Sequence, residues 1–303
     1  MGLVASAVPP IAEDWTDLNA IRKDAKTGDL VIMVTNWRAT IGMPRSSQLV
    51  TKIAGGAEAL AEHWQPCHVG VIIRNPPKEI LDIVDELEDE EGESMRSPDD
   101  IYILESTPEF GEEGKNGTCI SPLEYALDCW TERYSPSDFG LVFRSVEHVK
   151  SEQDSSTPSE SKGIECKEVW NFVKEAIPKN FCFERTEIFE IIMERWLCME
   201  RKPKPDLSRL YSAELASRLL QLAGVLKTDP AANSYLPRDF LPNRKIEENI
   251  CCNEDGTPKF VLSAPLNISG FADSNSKLNL GFLFWHLVVP VFVVIILRCI
   301  LGL

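Results

Sequence analysis

Short apolar runs separated by turn residues recur along the first half of this chain. Runs of strand length cover residues 30–34, 69–73, 101–106 and 139–144. Apolar runs of this length between turn signals are typical of strands buried in a sheet. The second run stops at Asn75-Pro76-Pro77, and proline cannot continue a central strand because it has no N–H to donate. The pattern therefore predicts four strands.

Helical periodicity dominates the second half of the chain. Leu215, Leu219 and Leu222 recur at positions i, i+4 and i+7. This spacing predicts a helix with one apolar face, running from Ser212 to near Gly224. Further helices are predicted over 47–64, 165–176 and 187–199, and from 121–124 with Pro122 in the first helical position. The stretch 15–26 is predicted to be a polar-faced helix or an extended lead-in, and 235–241 a closing strand or a loop.

The last apolar run is the longest. Residues 280–297 are apolar apart from His286, and only Arg298 and five more residues follow. That length suffices to cross the hydrocarbon core of a bilayer as a helix, and Pro290 is tolerable within such a helix. Because no secretory signal is visible, the sequence predicts a single-pass tail anchor at 278–303 that leaves the bulk of the chain facing the cytosol.

Composition narrows the possible functions. With 303 residues, of which 44% are hydrophobic, the chain can bury one sizeable core. Its formal net charge of −16 argues against nucleic acid as a partner, because phosphate binding needs clustered cations. The nine cysteines have no metal-ligand spacing, so neither a metal nor another cofactor is expected. Their odd number suggests reduced thiols facing the cytosol.

Four segments are expected in chain order. They are an N-terminal segment 1–14, a folded domain 15–243, a turn-rich tether 244–277 and the tail anchor 278–303. The N-terminus also matches the Met-Gly-x-x-x-Ser pattern for myristoylation at Gly2. The sequence thus predicts one folded domain that is attached to a membrane.

Ser212 and His68 are the residues that combine a nucleophile with a base. Ser212 opens a predicted helix, and the partial positive charge of a helix N-terminus favours the anionic form of a nucleophile. His68 immediately precedes the apolar run 69–73 and would supply the base that a serine nucleophile needs. Two interpretations of Ser212 stay open, since serine is also among the best helix N-caps and then contributes roughly 1 kcal/mol without catalysis.

Several short motifs follow one another in an order that resembles a known superfamily. They are Thr27-Gly28-Asp29-Leu30-Val31, His68-Val69-Gly70-Val71, Ile103-Leu104-Glu105-Ser106, Ser121-Pro122-Leu123, Phe143-Arg144 and Tyr211-Ser212-Ala213-Glu214-Leu215. This order resembles the circularly permuted branch of the NlpC-type papain-like superfamily, whose relatives include lecithin:retinol acyltransferase-like proteins. In that family a Gly-Asp turn precedes the first strand, a His-x-Gly strand carries the base, and a Tyr-Cys-Ser-Glu-Leu-like segment carries the nucleophile.

The resemblance implies a fold and a set of site residues. The fold would be α+β, a permuted papain-like domain with a small antiparallel barrel-like sheet and packed helices, followed by the C-terminal transmembrane helix. His68 would be the general base, and Glu105 would orient its imidazole. Ser212 stands where the family has its cysteine, and an alcohol is harder to ionise than a thiol.

Two functions from different classes follow from the resemblance. The first is a membrane-anchored hydrolase or acyltransferase that acts on an amide or ester bond of a peptide or lipid, with Ser212, His68 and Glu105 as catalytic residues. The second is a catalytically inactive pseudoenzyme that keeps the cleft to bind a ligand or a protein at a membrane surface. A Ser212 oxygen within hydrogen-bond reach of a His68 nitrogen, at the floor of an open cleft, favours the enzyme. A filled cleft, or a Ser212 side chain that caps its own helix, favours the binding protein.

Overall fold

The computed structural model describes residues 14–36, 64–85, 96–107, 117–133, 139–149, 164, 166–177 and 210–269. The strands in these stretches are β1 (Asp14–Asp17), β2 (Leu30–Asn36), β3 (Trp64–Arg74), β4 (Ile101–Thr107), β5 (Gly117–Pro122), β6 (Phe139–Arg144), β7 (Val146–His148), β8 (Phe260–Leu262) and β9 (Leu266–Ser269). The α-helices are α1 (Leu18–Asp24), α2 (Lys78–Asp85), α3 (Leu123–Arg133), α4 (Lys167–Ala176), α5 (Ser212–Leu222) and α6 (Lys245–Glu248). Two short 3₁₀ helices cover Ala232–Ser234 and Pro237–Phe240.

Seven strands of the described part of the chain form one sheet, in the order β1-β9-β6-β2-β3-β4-β5. Every neighbouring pair in it is antiparallel except β1 and β9, which run parallel. Strands β7 and β8 form a separate antiparallel pair. The structure thus confirms an α+β fold with a mostly antiparallel sheet, and β2, β3, β4 and β6 lie where the four apolar runs predicted strands.

Side-chain alternation divides the central strands between two faces of the sheet. On one face, Val69 of β3 joins the main core together with Leu219 of α5. The other face carries His68 and Glu105, and the ring of Trp130 from α3 contacts the imidazole there. Helices α5 and α3 therefore pack against opposite faces of the sheet.

The turn before β2 is built around Gly28 and Asp29. Gly28 has a φ of 97°, in the left-handed region that favours glycine, and a Cβ at this position would overlap the side chain of Ile164. The Asp29 carboxylate accepts hydrogen bonds from the backbone N–H groups of Lys26 (2.7 Å) and Val146 (2.9 Å). Burial raises the pKa of Asp29 from 3.8 to about 6. The Gly-Asp turn thereby joins the start of β2 to β7.

The structure corrects the helix that was predicted to start at 121–124. Residues 117–122 form strand β5, at the end of the described sheet, and α3 begins at Leu123. Pro122 is therefore the last residue of a strand and not the first of a helix. A proline fits there because an edge strand has no outer neighbour that would need its N–H.

The folded part of the chain extends beyond the boundary that was predicted at residue 243. Residues 245–248 form α6, and 266–269 form β9, which lies between β1 and β6 in the sheet. Strand β9 is held by backbone pairing, with Asn267 opposite Val142 on β6. Backbone pairing imposes no hydrophobic period on so short a segment, so its turn-rich sequence predicts a tether where the structure has α6 and β9.

Arg144, at the end of β6, anchors this C-terminal stretch to the sheet. The Arg144 side chain is buried and donates hydrogen bonds to the carbonyl oxygens of Phe240 (2.7 Å) and Ser263 (2.9 Å). It also donates to Oε1 of Glu247 at 2.6 Å. A buried guanidinium is tolerated only when its donors are paired, so these three partners explain why Arg144 can stand in the interior.

Several predictions fall on residues outside the described stretches. These are the tail anchor 278–303, the myristoylation of Gly2, the helix at 187–199, and the helix at 47–64 except for its last residue, Trp64, which begins β3. Within the stretches that are described, no helix is long and apolar enough to cross a membrane.

Candidate functional site

His68 and Glu105 form a buried side-chain pair across strands β3 and β4. Val71 pairs with Leu104 in the antiparallel register. Glu105 therefore lies opposite Gly70 and diagonally across from His68, within reach of a long side chain. Nε2 of His68 lies 2.5 Å from Oε2 of Glu105. Of the three residues predicted to form the site, the structure joins these two directly.

Gly70 makes room for the close approach of these two strands. A Cβ on Gly70 would overlap Cδ1 and Cγ1 of Ile103, whose side chain covers this position from the neighbouring strand. Ile103 and Glu105 are two residues apart on β4 and thus point to the same face. The glycine of the His-x-Gly motif is therefore required by packing, two residues from His68 on the same face of β3.

The two side chains of the pair are buried. His68 is 6% exposed and Glu105 is 1% exposed. The Trp130 ring meets the imidazole edge-on, with the ring centroids 5.4 Å apart. When Nε2–H donates to Glu105, the neutral imidazole keeps the lone pair of Nδ1 and can take up a proton there. This is the arrangement that a general base with an orienting carboxylate requires.

Ser212 is the first residue of helix α5 and does not cap it. The N-cap is Tyr211, whose backbone is still extended (φ −105°, ψ 165°) and whose side chain makes no capping hydrogen bond. The N-cap interpretation of Ser212 is therefore wrong, because a residue with helical backbone follows the cap and cannot serve as one. Ser212 is 3% exposed, and the side chain of Tyr211 does not cap the helix that Ser212 begins.

Hydrogen bonds hold the start of α5 at the same end of β4 as Glu105. Oγ of Ser106 donates to the carbonyl oxygen of Leu210 at 2.6 Å, and the Tyr211 hydroxyl donates to the carbonyl oxygen of Tyr235 at 2.6 Å. Glu105 and Ser106 are adjacent, so one side chain reaches His68 while the other reaches the segment before Ser212. Among the described residues, no hydrogen bond joins Ser212 to His68 directly.

Two cysteines near the pair are poor nucleophiles. Cys119 lies directly opposite Glu105 in the β4–β5 register. Burial raises the pKa of Cys119 well above its ordinary value, and the charges of Glu105 and Cys129 raise it further. Burial likewise raises the pKa of Cys67, the neighbour of His68, to about 12. Both thiols thus stay protonated at neutral pH and cannot replace Ser212 as the nucleophile.

No sequence pattern indicated Thr118, which the structure places opposite Ser106, the residue after Glu105. Thr118 pairs with Ser106 in the register of β4 and β5 and is 2% exposed. Its hydroxyl has no hydrogen-bond partner among the described residues. A single threonine in an unpredicted strand carries no pattern, so only the strand register could reveal it.

In the part of the chain that the structure describes, no group of three or more His, Cys, Asp or Glu side chains could hold a metal ion. No family model matches the chain, and no curated protein matches it. The function is therefore inferred from the geometry and chemistry of the residues themselves.

Proposed function

We propose that this protein is a membrane-anchored hydrolase or acyltransferase with a permuted papain-like domain, in which Ser212 replaces the cysteine nucleophile. Its substrate is an amide or ester of a peptide or lipid. Ser212 attacks the acyl carbon, His68 is the general base, and Glu105 orients His68. The mostly antiparallel sheet, the Gly-Asp turn and the His-x-Gly strand are the features that agree with this fold.

One observation carries the proposal. Helix α5 begins at Ser212 with no side-chain cap, at the same end of β4 where Glu105 bonds to His68. A serine that stabilised its helix would be expected at the N-cap and would accept a bond from the first turn. Ser212 does neither, which leaves its hydroxyl available for chemistry.

In the proposed reaction, His68 accepts the proton of Ser212 and later returns it. As the bond forms between Oγ of Ser212 and the acyl carbon, the hydroxyl proton passes to Nδ1 of His68. Helix α5 and His68 lie on opposite faces of the sheet, so this transfer requires Ser212 to reach His68 around the end of β4. His68 then returns that proton to the leaving amine or alcohol as the C–N or C–O bond breaks. Water, or a second alcohol or amine, next attacks the acyl-serine, gives its proton to His68, and releases Ser212.

In this proposal, the N-terminus of α5 provides a place for the negative charge that develops on the acyl oxygen. The first N–H groups of a helix have no intrahelical partner and point outwards along the axis. The helix dipole adds a partial positive charge at the same point. Loss of one such oxyanion donor typically lowers kcat by about 10²–10³-fold, so this contribution is large.

Attachment to a membrane is the second part of the proposal. The apolar run 280–297 would place the folded domain at the surface of a bilayer, where a lipid or a membrane-bound peptide is at high local concentration. The full-length chain is then recovered with membranes and released by detergent.

Labelling with a fluorophosphonate probe tests the enzyme directly. The full-length chain, purified in mild detergent, is expected to react at Ser212, and the Ser212→Ala and His68→Ala variants are expected to lose the reaction. Ser217→Ala is the matched control, because Ser217 is buried in the same helix and donates to the carbonyl oxygen of Ala213 at 2.7 Å. Labelling that survives in Ser212→Ala contradicts the proposal.

The alternative is a pseudoenzyme that binds a ligand or protein at a membrane surface. It is favoured by the burial of both side chains, with Ser212 3% and His68 6% exposed, and by the missing hydrogen bond between them in the described residues. If the protein is such a pseudoenzyme, the fluorophosphonate probe is expected not to label the wild-type chain. The Ser212→Cys variant, followed by mass spectrometry of the peptide that contains residue 212, then reacts rapidly with a thiol reagent because the site still activates a thiol.

A further inference from the structure

The imidazole of His68 is contacted by side chains from two elements besides its own strand. Glu105 on β4 bonds to Nε2 of His68, with the two atoms 2.5 Å apart. Trp130 on α3 meets the imidazole edge-on, with the ring centroids 5.4 Å apart and the ring planes at 81°. The Trp130 side chain is 0% exposed. The two contacts therefore act on the imidazole from different directions within a buried site.

A hydrogen bond to Nε2 does not by itself fix the plane of the imidazole. The ring is attached to the strand through Cγ, and rotation about χ2 moves Nδ1 farther from its place than it moves Nε2. The χ2 torsion of histidine is broad, because it joins an sp³ to an sp² carbon and has no sharp staggered minima. The plane of the ring must therefore be restricted by packing, and the indole of Trp130 is in position to do this.

Helix α3 holds Trp130 at a defined place over the sheet. The buried side chains of α3 recur at positions i, i+3, i+4 and i+7, on one face of the helix. They are Leu123, Ala126, Leu127 and Trp130. The helix begins immediately after β5 ends at Pro122, and it packs against β4 and β5. Because β5 pairs with β4 in a fixed register, α3 is held next to the strand that carries Glu105.

We infer that Trp130 is a positioning residue that fixes the plane of the His68 imidazole and thereby the direction of the lone pair on Nδ1. The catalytic meaning of this inference rests on the proposed function, in which Nδ1 receives the proton. The placement itself depends only on His68, Glu105 and Trp130, which lie on one face of the sheet. Helix α3 thereby becomes part of the site.

Nitrogen NMR of the full-length chain in mild detergent, with isotope-labelled histidine, tests this placement. The chain has four histidines, and the His68→Gln variant identifies the His68 signals by their loss. In the wild-type chain we expect one protonated and one unprotonated nitrogen at His68. Trp130→Leu keeps an apolar side chain but removes the ring. Its two His68 signals are expected to broaden and to move towards each other, because the imidazole samples several orientations and both tautomers.

Two variants separate positioning from a general loss of packing. Leu127→Ala removes a side chain from the same buried face of α3 and leaves the indole in place. It is expected to lower the melting temperature and to leave the His68 signals unchanged. Trp130→Phe keeps an aromatic ring and is expected to restore the wild-type signals. Should Trp130→Leu fail to fold, Trp130→Met removes the ring and fills the space with a flexible apolar side chain.

The rate of fluorophosphonate labelling measures the catalytic consequence in the same variants. In this reaction the bond between Ser212 Oγ and phosphorus forms, fluoride leaves, and His68 takes the hydroxyl proton. The rate is expected to fall by about 10²-fold in Trp130→Leu, since misplacement of a reacting group by about 1 Å can cost that much. It is expected to recover in Trp130→Phe.

The possible results distinguish this inference from the proposed function. Unchanged His68 signals in Trp130→Leu, or the same change in Leu127→Ala, overturn the role of Trp130. Altered signals in Trp130→Leu with an unchanged labelling rate overturn its part in catalysis. Altered signals with a wild-type chain that is not labelled at all support the placement and overturn the proposed function. Altered signals and slower labelling, both restored in Trp130→Phe, support the inference and the proposed function together.

Discussion

At the scale of single residues, the buried carboxyl groups of Asp29 and Glu105 differ in what they bond to. Asp29 accepts hydrogen bonds from two backbone N–H groups, those of Lys26 and Val146. Glu105 faces an imidazole nitrogen of His68 at 2.5 Å. A carboxylate held only by backbone groups can order a turn, whereas one held against a base can orient that base. Substitution of Asp29 is therefore expected to change stability, and substitution of Glu105 to change activity.

The raised pKa of Asp29 predicts a pH-dependent stability. Burial raises that pKa from 3.8 to about 6, so between these values the folded chain binds a proton that the unfolded chain has lost. The contribution of Asp29 is therefore fully present below pH 3.8 and is lost as the pH rises through 6. Over this window the free energy of unfolding of the wild-type chain should fall by about 3 kcal/mol relative to Asp29→Asn.

Urea unfolding of both chains at several pH values between 4 and 7 measures this difference, because all other groups titrate alike in the two chains. A difference between the chains that stays constant with pH contradicts the assignment.

At the scale of secondary-structure elements, the contact between β3 and β4 brings the base and its partner together. The two strands carry His68 and Glu105 on one face, and Gly70 leaves the space that Ile103 fills. The other face of the same strands supports helix α5. The position of Glu105 relative to His68 thus depends on the register between β3 and β4. It also depends on Gly70, which has no side chain.

Gly70→Ala is expected to destabilise the domain, because the added methyl group overlaps the side chain of Ile103. Overpacking of this kind typically costs about 1–3 kcal/mol. Ile103→Val removes Cδ1 and should recover part of that loss in the double variant. A double-mutant cycle by urea unfolding measures the coupling between the two positions. If the two losses are simply additive, the overlap is not the cause.

At the scale of the whole molecule, Arg144 links parts of the chain that are distant in sequence. From the end of β6 it bonds to Phe240, Glu247 and Ser263, and it is 1% exposed. These bonds fasten the stretch that contains α6 and leads to β9. The folded unit reaches to the end of β9 because this stretch is attached to the sheet by both a side chain and a strand.

Arg144→Met is expected to lower the free energy of unfolding by about 3–5 kcal/mol, since it leaves its buried partners unpaired. Chemical denaturation of the purified chain measures the loss. Arg96→Met is the matched control, because Arg96 is an exposed arginine whose pair with Asp85 lies at the surface, and surface ion pairs contribute little. Equal stability of the two variants contradicts the role given to Arg144.

The sequence alone determined the elements whose pattern is local. Apolar runs predicted strands β2, β3, β4 and β6, and periodicity predicted α4 and α5, because burial of one face or of a whole strand imposes a period on nearby residues. The sequence also singled out His68, Glu105 and Ser212. It did not reveal β5, β9 or Thr118, whose places depend on backbone pairing with strands far away in the chain.

Only the tertiary structure decided how the site residues relate to one another. Pairing of β3 with β4 brings Glu105 to His68, and the backbone of Tyr211 makes it the N-cap in place of Ser212. Neither fact follows from residue spacing, because register and cap geometry are set by contacts between elements. The sequence thus supplied the residues for the chemistry, and the packing of strands against α5 determined where each of them lies.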